Sequence, residues 1–176
     1  MAKSFLTSTL IIFFTIILES TVLSNISFLL VVPDLVLIIT IYLSLLNGKL
    51  YGETTGFISG LFLDFTTGVP FGFNCIYRTL MGYFYGLISH SVIISGIIMP
   101  VLSVGIGTIA KRLFIIILSL IYPNLHLNVY GFISDQFLFE FIANVALSPF
   151  IFKFLSFFKN TLSIIDTKDM IDNVQS

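Results

Sequence analysis

Tryptophan is absent from this chain, cysteine occurs once, histidine twice, and charged residues make up only 10% of it. Each shortage excludes something. A single thiol, Cys75, cannot close an internal disulfide or build a cysteine metal cage, and it reads as an inert packing residue. His90 and His126 stand far apart in sequence and leave no paired histidine ligands. A formal net charge of −1 offers nucleic acid no electrostatic footprint.

Catalytic patterns are equally scarce. There is no phosphate-binding glycine loop, and no serine, histidine and aspartate share an obvious site. Ser59 lies between glycines in GFISG, but its spacing is not that of an intramembrane serine protease. Asp64 lacks the second motif that an intramembrane aspartyl protease or lipoprotein signal peptidase needs. The expectation is a protein with no catalytic residue, no cofactor and no metal.

What the chain does have is apolar surface. Of its 176 residues 57% are hydrophobic, 20 are phenylalanine, and mean hydropathy is +1.08. A soluble core this small could not bury so much, and too little polar surface would remain to cover it. The solvent for this chain is therefore a bilayer, with the seven tyrosines expected at its interfaces.

Apolar runs predict an all-α bundle of about six transmembrane helices: 5–23, 33–47, 49–66, 74–90, 92–122 and 137–157. The first run follows Lys3 and has no small-x-small cleavage site behind it, so it reads as an uncleaved helix. Pro33 is expected to open the second helix and Pro149 to kink the sixth. Residues 1–160 form one helical domain, and 161–176 a polar tail, either solvated or weakly amphipathic. Lys3, Lys49, Lys153, Lys159 and Lys168 fall on one side of a six-span arrangement, which places both termini in the cytoplasm.

Within the third run Gly48, Gly52, Gly56 and Gly60 recur every fourth residue, and the same step reaches Asp64 and Gly68. Four residues turn a helix by about 400°, so these glycines form one slowly drifting stripe. In a bilayer small residues let two backbones approach. Reflection about the turn TTGVPFGFN pairs Gly60 with Gly82, Gly56 with Gly86, and Asp64 with Arg78. Gly56 and Gly60 are expected inside the bundle, Gly48 and Gly52 more open to partners or lipid.

Charges gather at one depth. Glu19, Asp64 and Glu140 balance Arg78, Lys111 and Arg112 in the outer half of the bundle. A charge there costs roughly 2.5–3.5 kcal/mol on insertion scales, so partners are required. Two readings are open: salt bridges that lock the bundle, or the lining of an outward-facing polar pocket.

The residues Pro33, Asp34 and Leu35 before an apolar helix ending Leu46-Asn47-Gly48 carry a family resemblance. It continues through Gly52, Gly56-Phe57, Gly60-Leu61, Asp64, Gly68, Pro70, Gly72, Asn74, Gly82-Tyr83 and Gly86, and through Asn144 and Ala146 before Pro149. In these the chain resembles MreD, the integral membrane protein of the bacterial rod-shape system. The resemblance implies a non-enzymatic inner-membrane scaffold. Its partners would be the bitopic protein MreC and, through it, MreB, RodA and a penicillin-binding transpeptidase in side-wall peptidoglycan synthesis. It also implies a helical core similar to the substrate-binding components of energy-coupling-factor transporters. A small-molecule-binding transporter subunit, with Asp64, Glu19 and Glu140 in its pocket, is the rival expectation.

Overall fold

The computed structural model describes residues 2–21, 23, 31–67, 70–89, 94, 96–121 and 134–164. Its main helices are α1 (Ala2–Thr21), α2 (Leu35–Asn47), α3 (Lys49–Thr67), α4 (Phe73–Leu87), α5 (Ile98–Ile121) and α6 (Asp135–Phe157). A single turn, α7 (Lys159–Leu162), follows. Among the described residues there is no strand. Each expected span thus coincides with a helix, within a few residues. The exception is the start of the fifth, where α5 begins at Ile98 rather than Val92. His90, His126, Gly68 and the tail beyond Ile164 lie outside the described residues.

The centre of the molecule is α2. Its sequence LVLIITIYLSLLN is apolar on every face, the mark of a helix surrounded by others. Val36 through Leu45 are all buried, and α1, α3, α4, α5 and α6 each pack against it. Two hydroxyls inside this apolar run satisfy themselves locally. Thr40 Oγ1 donates to Val36 O at 2.7 Å, and Ser44 Oγ to Thr40 O at 2.6 Å. Pro33, expected to open the helix, lies two residues before its first residue, Leu35. Asp34 is the N-cap, its Oδ1 accepting from Leu37 N at 2.8 Å.

Proline is accommodated inside α6 as well. Pro149 has no N–H for the carbonyl of Val145, and Ser148 Oγ donates to that oxygen instead at 2.8 Å.

Helices α3 and α4 form the closest pair, and the glycines are the reason. A Cβ at Gly52 would strike the backbone of Gly82, one at Gly56 that of Arg78, and one at Gly60 that of Asn74 and Cys75. A Cβ at Gly86 would strike Lys49. The stripe therefore packs, but not in the expected register: Gly52 faces Gly82, whereas Gly60–Gly82 and Gly56–Gly86 do not pair. Gly52 is buried rather than open. Gly48 belongs to a different device. It ends α2 with φ +86°, a left-handed value that favours glycine, and lets α3 begin at once.

The register shift has a local cause. Asp64 accepts from Gly72 N at 2.8 Å, Asn74 N at 2.8 Å and Cys75 N at 3.3 Å, and from Asn74 Nδ2 at 3.0 Å. The three backbone N–H groups are donors that the start of a helix leaves unpaired. One carboxylate thus draws the start of α4 back to the level of Asp64. The last turn of α3 projects beyond it.

Four tyrosines face the interior of the bundle. Tyr42, Tyr51, Tyr77 and Tyr85 are buried, each with an apolar ring in the core. Tyr51 Oη donates to Ser4 O at 2.9 Å and meets Ser8 Oγ at 2.7 Å, fastening α3 to α1. Tyr85 Oη donates to Ser103 O at 2.5 Å, fastening α4 to α5. At the other end of α2, Asn47 Oδ1 accepts from Ile164 N at 2.8 Å and its Nδ2 donates to Leu162 O at 3.1 Å. Leu162 is fully buried, so the segment after α6 is held against the bundle as far as Ile164.

Outward faces are apolar. Phe14, Phe65, Phe84, Phe150, Phe154 and Phe157 are all exposed. In water such surface would aggregate; against acyl chains it costs nothing. Among the described residues three helices are long and apolar enough to cross a membrane: Lys3–Thr21, Ile98–Ile117 and Asp135–Phe157. Leu35–Asn47 is apolar but shorter.

Candidate functional site

The sequence brings charge to the N-terminal end of α2 from four neighbouring helices. Asp34 is the hub and is 4% exposed. Arg78 on α4 places Nη2 at 2.8 Å from Asp34 Oδ1 and 2.9 Å from Oδ2. Lys111 on α5 places Nζ at 2.6 Å from Asp34 Oδ2 and 2.7 Å from Glu140 Oε1 on α6. Tyr77 Oη donates to Asp34 Oδ2 at 3.4 Å. The Arg78 guanidinium also lies 5.1 Å from the centre of the Tyr77 ring.

Neutral groups complete the hub. Asn144 Oδ1 accepts from Asp34 N at 2.8 Å, and its Nδ2 donates to Thr108 Oγ1 at 3.2 Å. Thr108 Oγ1 donates in turn to Val104 O at 2.9 Å. Asn144 is fully buried, and these bonds explain how an amide survives there.

Glu19 reaches the same place from α1. Its Oε1 accepts from Val36 N at 2.9 Å, the N–H beside the one that Asp34 caps. Two carboxylates therefore share the positive end of the α2 dipole. This matters for the charge count. Three acids, Glu19, Asp34 and Glu140, face two cations, Arg78 and Lys111, and Glu19, which has no ion pair among the described residues, is held by an α2 N–H instead.

Of the expected cluster, Glu19, Arg78, Lys111 and Glu140 come together. Asp64 does not, because its carboxylate is spent on the start of α4, and no ion pair joins it to Arg78. Arg112 points elsewhere, its guanidinium 5.5 Å from the centre of the Phe137 ring. The residue missed as a charge was Asp34. Its signal was an aspartate one residue before an apolar run and directly after proline, an N-cap position that fixes it at a helix end. Among the other motif residues, Gly72 supplies the left-handed turn before α4 at φ +95°, and Asn74 is a partner of Asp64.

A buried ion pair is weak evidence for stability, because desolvation offsets most of the attraction. It is stronger evidence for specificity. The hub ties α1, α2, α4, α5 and α6 at one level, and each wrong register would leave a charge alone in an apolar interior. Chemically, the hub's carboxylates are occupied by its own cations and backbone donors. Among the described residues no group of histidine, cysteine, aspartate and glutamate is placed to hold a metal ion.

Fold and hub define an all-α membrane protein whose buried charges hold its own helices together. The chain belongs to the MreD family: the family described as rod shape-determining protein MreD matches residues 1–158. No curated protein and no solved structure compared with the chain matched it. MreD is a family of shape-determining membrane proteins and is not a known enzyme family.

Proposed function

We propose that this chain is a non-enzymatic scaffold of the bacterial cell-elongation machinery in the cytoplasmic membrane. It binds MreC and through that protein links MreB, RodA and a penicillin-binding transpeptidase to side-wall peptidoglycan synthesis. The family match over residues 1–158 carries this reading. The chemistry of the hub supports it, since every carboxylate there already has a partner within the chain. The transporter-subunit reading needed Asp64 beside Glu19 and Glu140, and Asp64 is engaged at the start of α4 instead.

The same proposal includes six spans with both termini cytoplasmic, motivated by the lysines at Lys3, Lys49, Lys153, Lys159 and Lys168. A helical core like that of energy-coupling-factor substrate-binding components remains part of it. The test is capture of the tagged chain from mild detergent in cells that depend on it. MreC should be retained, and depletion should round the cells. Retention of a stoichiometric small molecule without MreC would favour the transporter reading and sink this one.

A further inference from the structure

A feature left unused by the hub is a groove of about 560 Å³ between α1 and α6, floored by α2. Leu10, Ile11 and Leu18 line one wall, Ile151 and Phe154 the other, and Ile39 the floor. The wall has two hydroxyls, Thr7 and Thr15, and neither asks anything of an occupant. Thr7 Oγ1 donates to Lys3 O at 2.9 Å and Thr15 Oγ1 to Ile11 O at 2.8 Å. What fills the groove must therefore be apolar along its length.

Dimensions favour a chain over a helix. From Thr7 to Leu18 the α1 wall rises roughly 16 Å at 1.5 Å per residue. That is about half the 30 Å hydrocarbon core, the depth of one leaflet. A transmembrane helix, about 10–12 Å across with its side chains, would set only side chains into the groove, whereas one acyl chain follows its length.

Charge decides the orientation. At the Thr7 end the lining includes Phe158, just after α6, beside the first turns of α1. Lys3 lies one turn before Thr7, and Lys159 directly follows Phe158. Both lysines are exposed, and neither forms an ion pair among the described residues. At the opposite end the lining stops at Leu18 and Leu35, beside the hub. The groove is apolar inside and cationic at one mouth.

We propose that this groove binds one acyl chain of an anionic phospholipid, with the lipid phosphate at Lys3 and Lys159. The site rests on the membrane location of the chain and is independent of the MreC reading. Absence of native tryptophan supplies the assay. Phe154→Trp puts a fluorophore on the groove wall, and Phe84→Trp puts one on an exposed face of α4 outside it. Each variant is reconstituted with brominated phosphatidylglycerol or brominated phosphatidylcholine, and quenching gives relative binding constants.

Phe154→Trp should prefer the anionic lipid by at least about fivefold, near what each basic residue at an anionic surface contributes. Phe84→Trp should show no preference. Lys3→Gln with Lys159→Gln should abolish the preference at Phe154→Trp while leaving quenching by both lipids. Equal quenching of Phe154→Trp by the two lipids would overturn the proposal, as would a preference that survives loss of both lysines. Protection from both lipids would mean that a protein helix covers the groove, which also overturns it. Should Phe154→Trp fail to fold, Phe14→Trp on the opposite wall reads the same site.

Discussion

Arg78 and Asp34, 44 residues apart in sequence, join α4 to the start of α2: one guanidinium nitrogen lies within 2.9 Å of both carboxylate oxygens. Arg78 is 3% exposed and Asp34 4%, so neither charge has water as an alternative partner. Arg78→Leu should therefore lower folded yield sharply, by the roughly 3–5 kcal/mol typical of a broken buried pair. Adding Asp34→Asn should restore much of it, because an amide keeps an acceptor for Leu37 N and removes one of three carboxylates that would be left with Lys111 as their one hub cation. Monodisperse yield by size exclusion in detergent measures both. A double variant no better than Arg78→Leu alone would refute the pairing.

Asp64 should behave as a separate unit. Its carboxylate serves Gly72, Asn74 and Cys75, and shares no partner with Arg78. Asp64→Ala orphans several donors and should cost at least roughly 1–3 kcal/mol; Asp64→Asn, which keeps one acceptor, should cost less. Combined with Arg78→Leu, the losses should add within about 0.5 kcal/mol. Thermal midpoints of the purified variants provide the comparison. Strong coupling would mean that the two residues meet after all.

Glycine substitutions should split by what a methyl group would meet. Gly56→Ala and Gly82→Ala each drive a Cβ into opposing backbone, which cannot rotate away, so neither should accumulate in membranes. At Gly105 the nearest atoms are side-chain carbons of Phe141 and Val145 at 3.5–3.6 Å, ordinary contact distance. Gly105→Ala should accumulate normally and gain up to about 1 kcal/mol from helix propensity. Immunoblots of membrane fractions separate the classes. Normal levels of Gly82→Ala would show that α3 and α4 are not in backbone contact.

Topology can be read with reporter fusions. Fusions after Lys49 and after Ser176 should report cytoplasm, and one after Pro70 the outside, as six spans and the lysine distribution require. An external signal after Ser176 would remove one span.

The segment after α6 offers a local test. Asn47→Ala removes both bonds to Leu162 and Ile164 while leaving the hub untouched. Protease cleavage within 159–164 should become several-fold faster without loss of folded yield, because local opening exposes it. Unchanged cleavage would show that burial of Leu162 alone holds the segment.

Much of this protein was legible along the chain because its causes are local. Apolar composition dictated a bilayer, run lengths dictated the helices, and a four-residue glycine step dictated that two backbones touch. That the all-round apolar helix Leu35–Asn47 has neighbours on every side emerged only from the structure. What the chain could not state was register. Reflection about a turn assumes that both helices end at the same height, and Asp64 breaks that symmetry by drawing the start of α4 down beside α3. From that displacement follow Gly52 against Gly82, Arg78 beside Asp34, and Asp64 away from both. Depth along a sequence says which charges share a level. Only the packing of α1, α2, α4, α5 and α6 around one carboxylate decides which of them meet, because hydrogen bonds act over about 3 Å and one helical turn is about 5.4 Å.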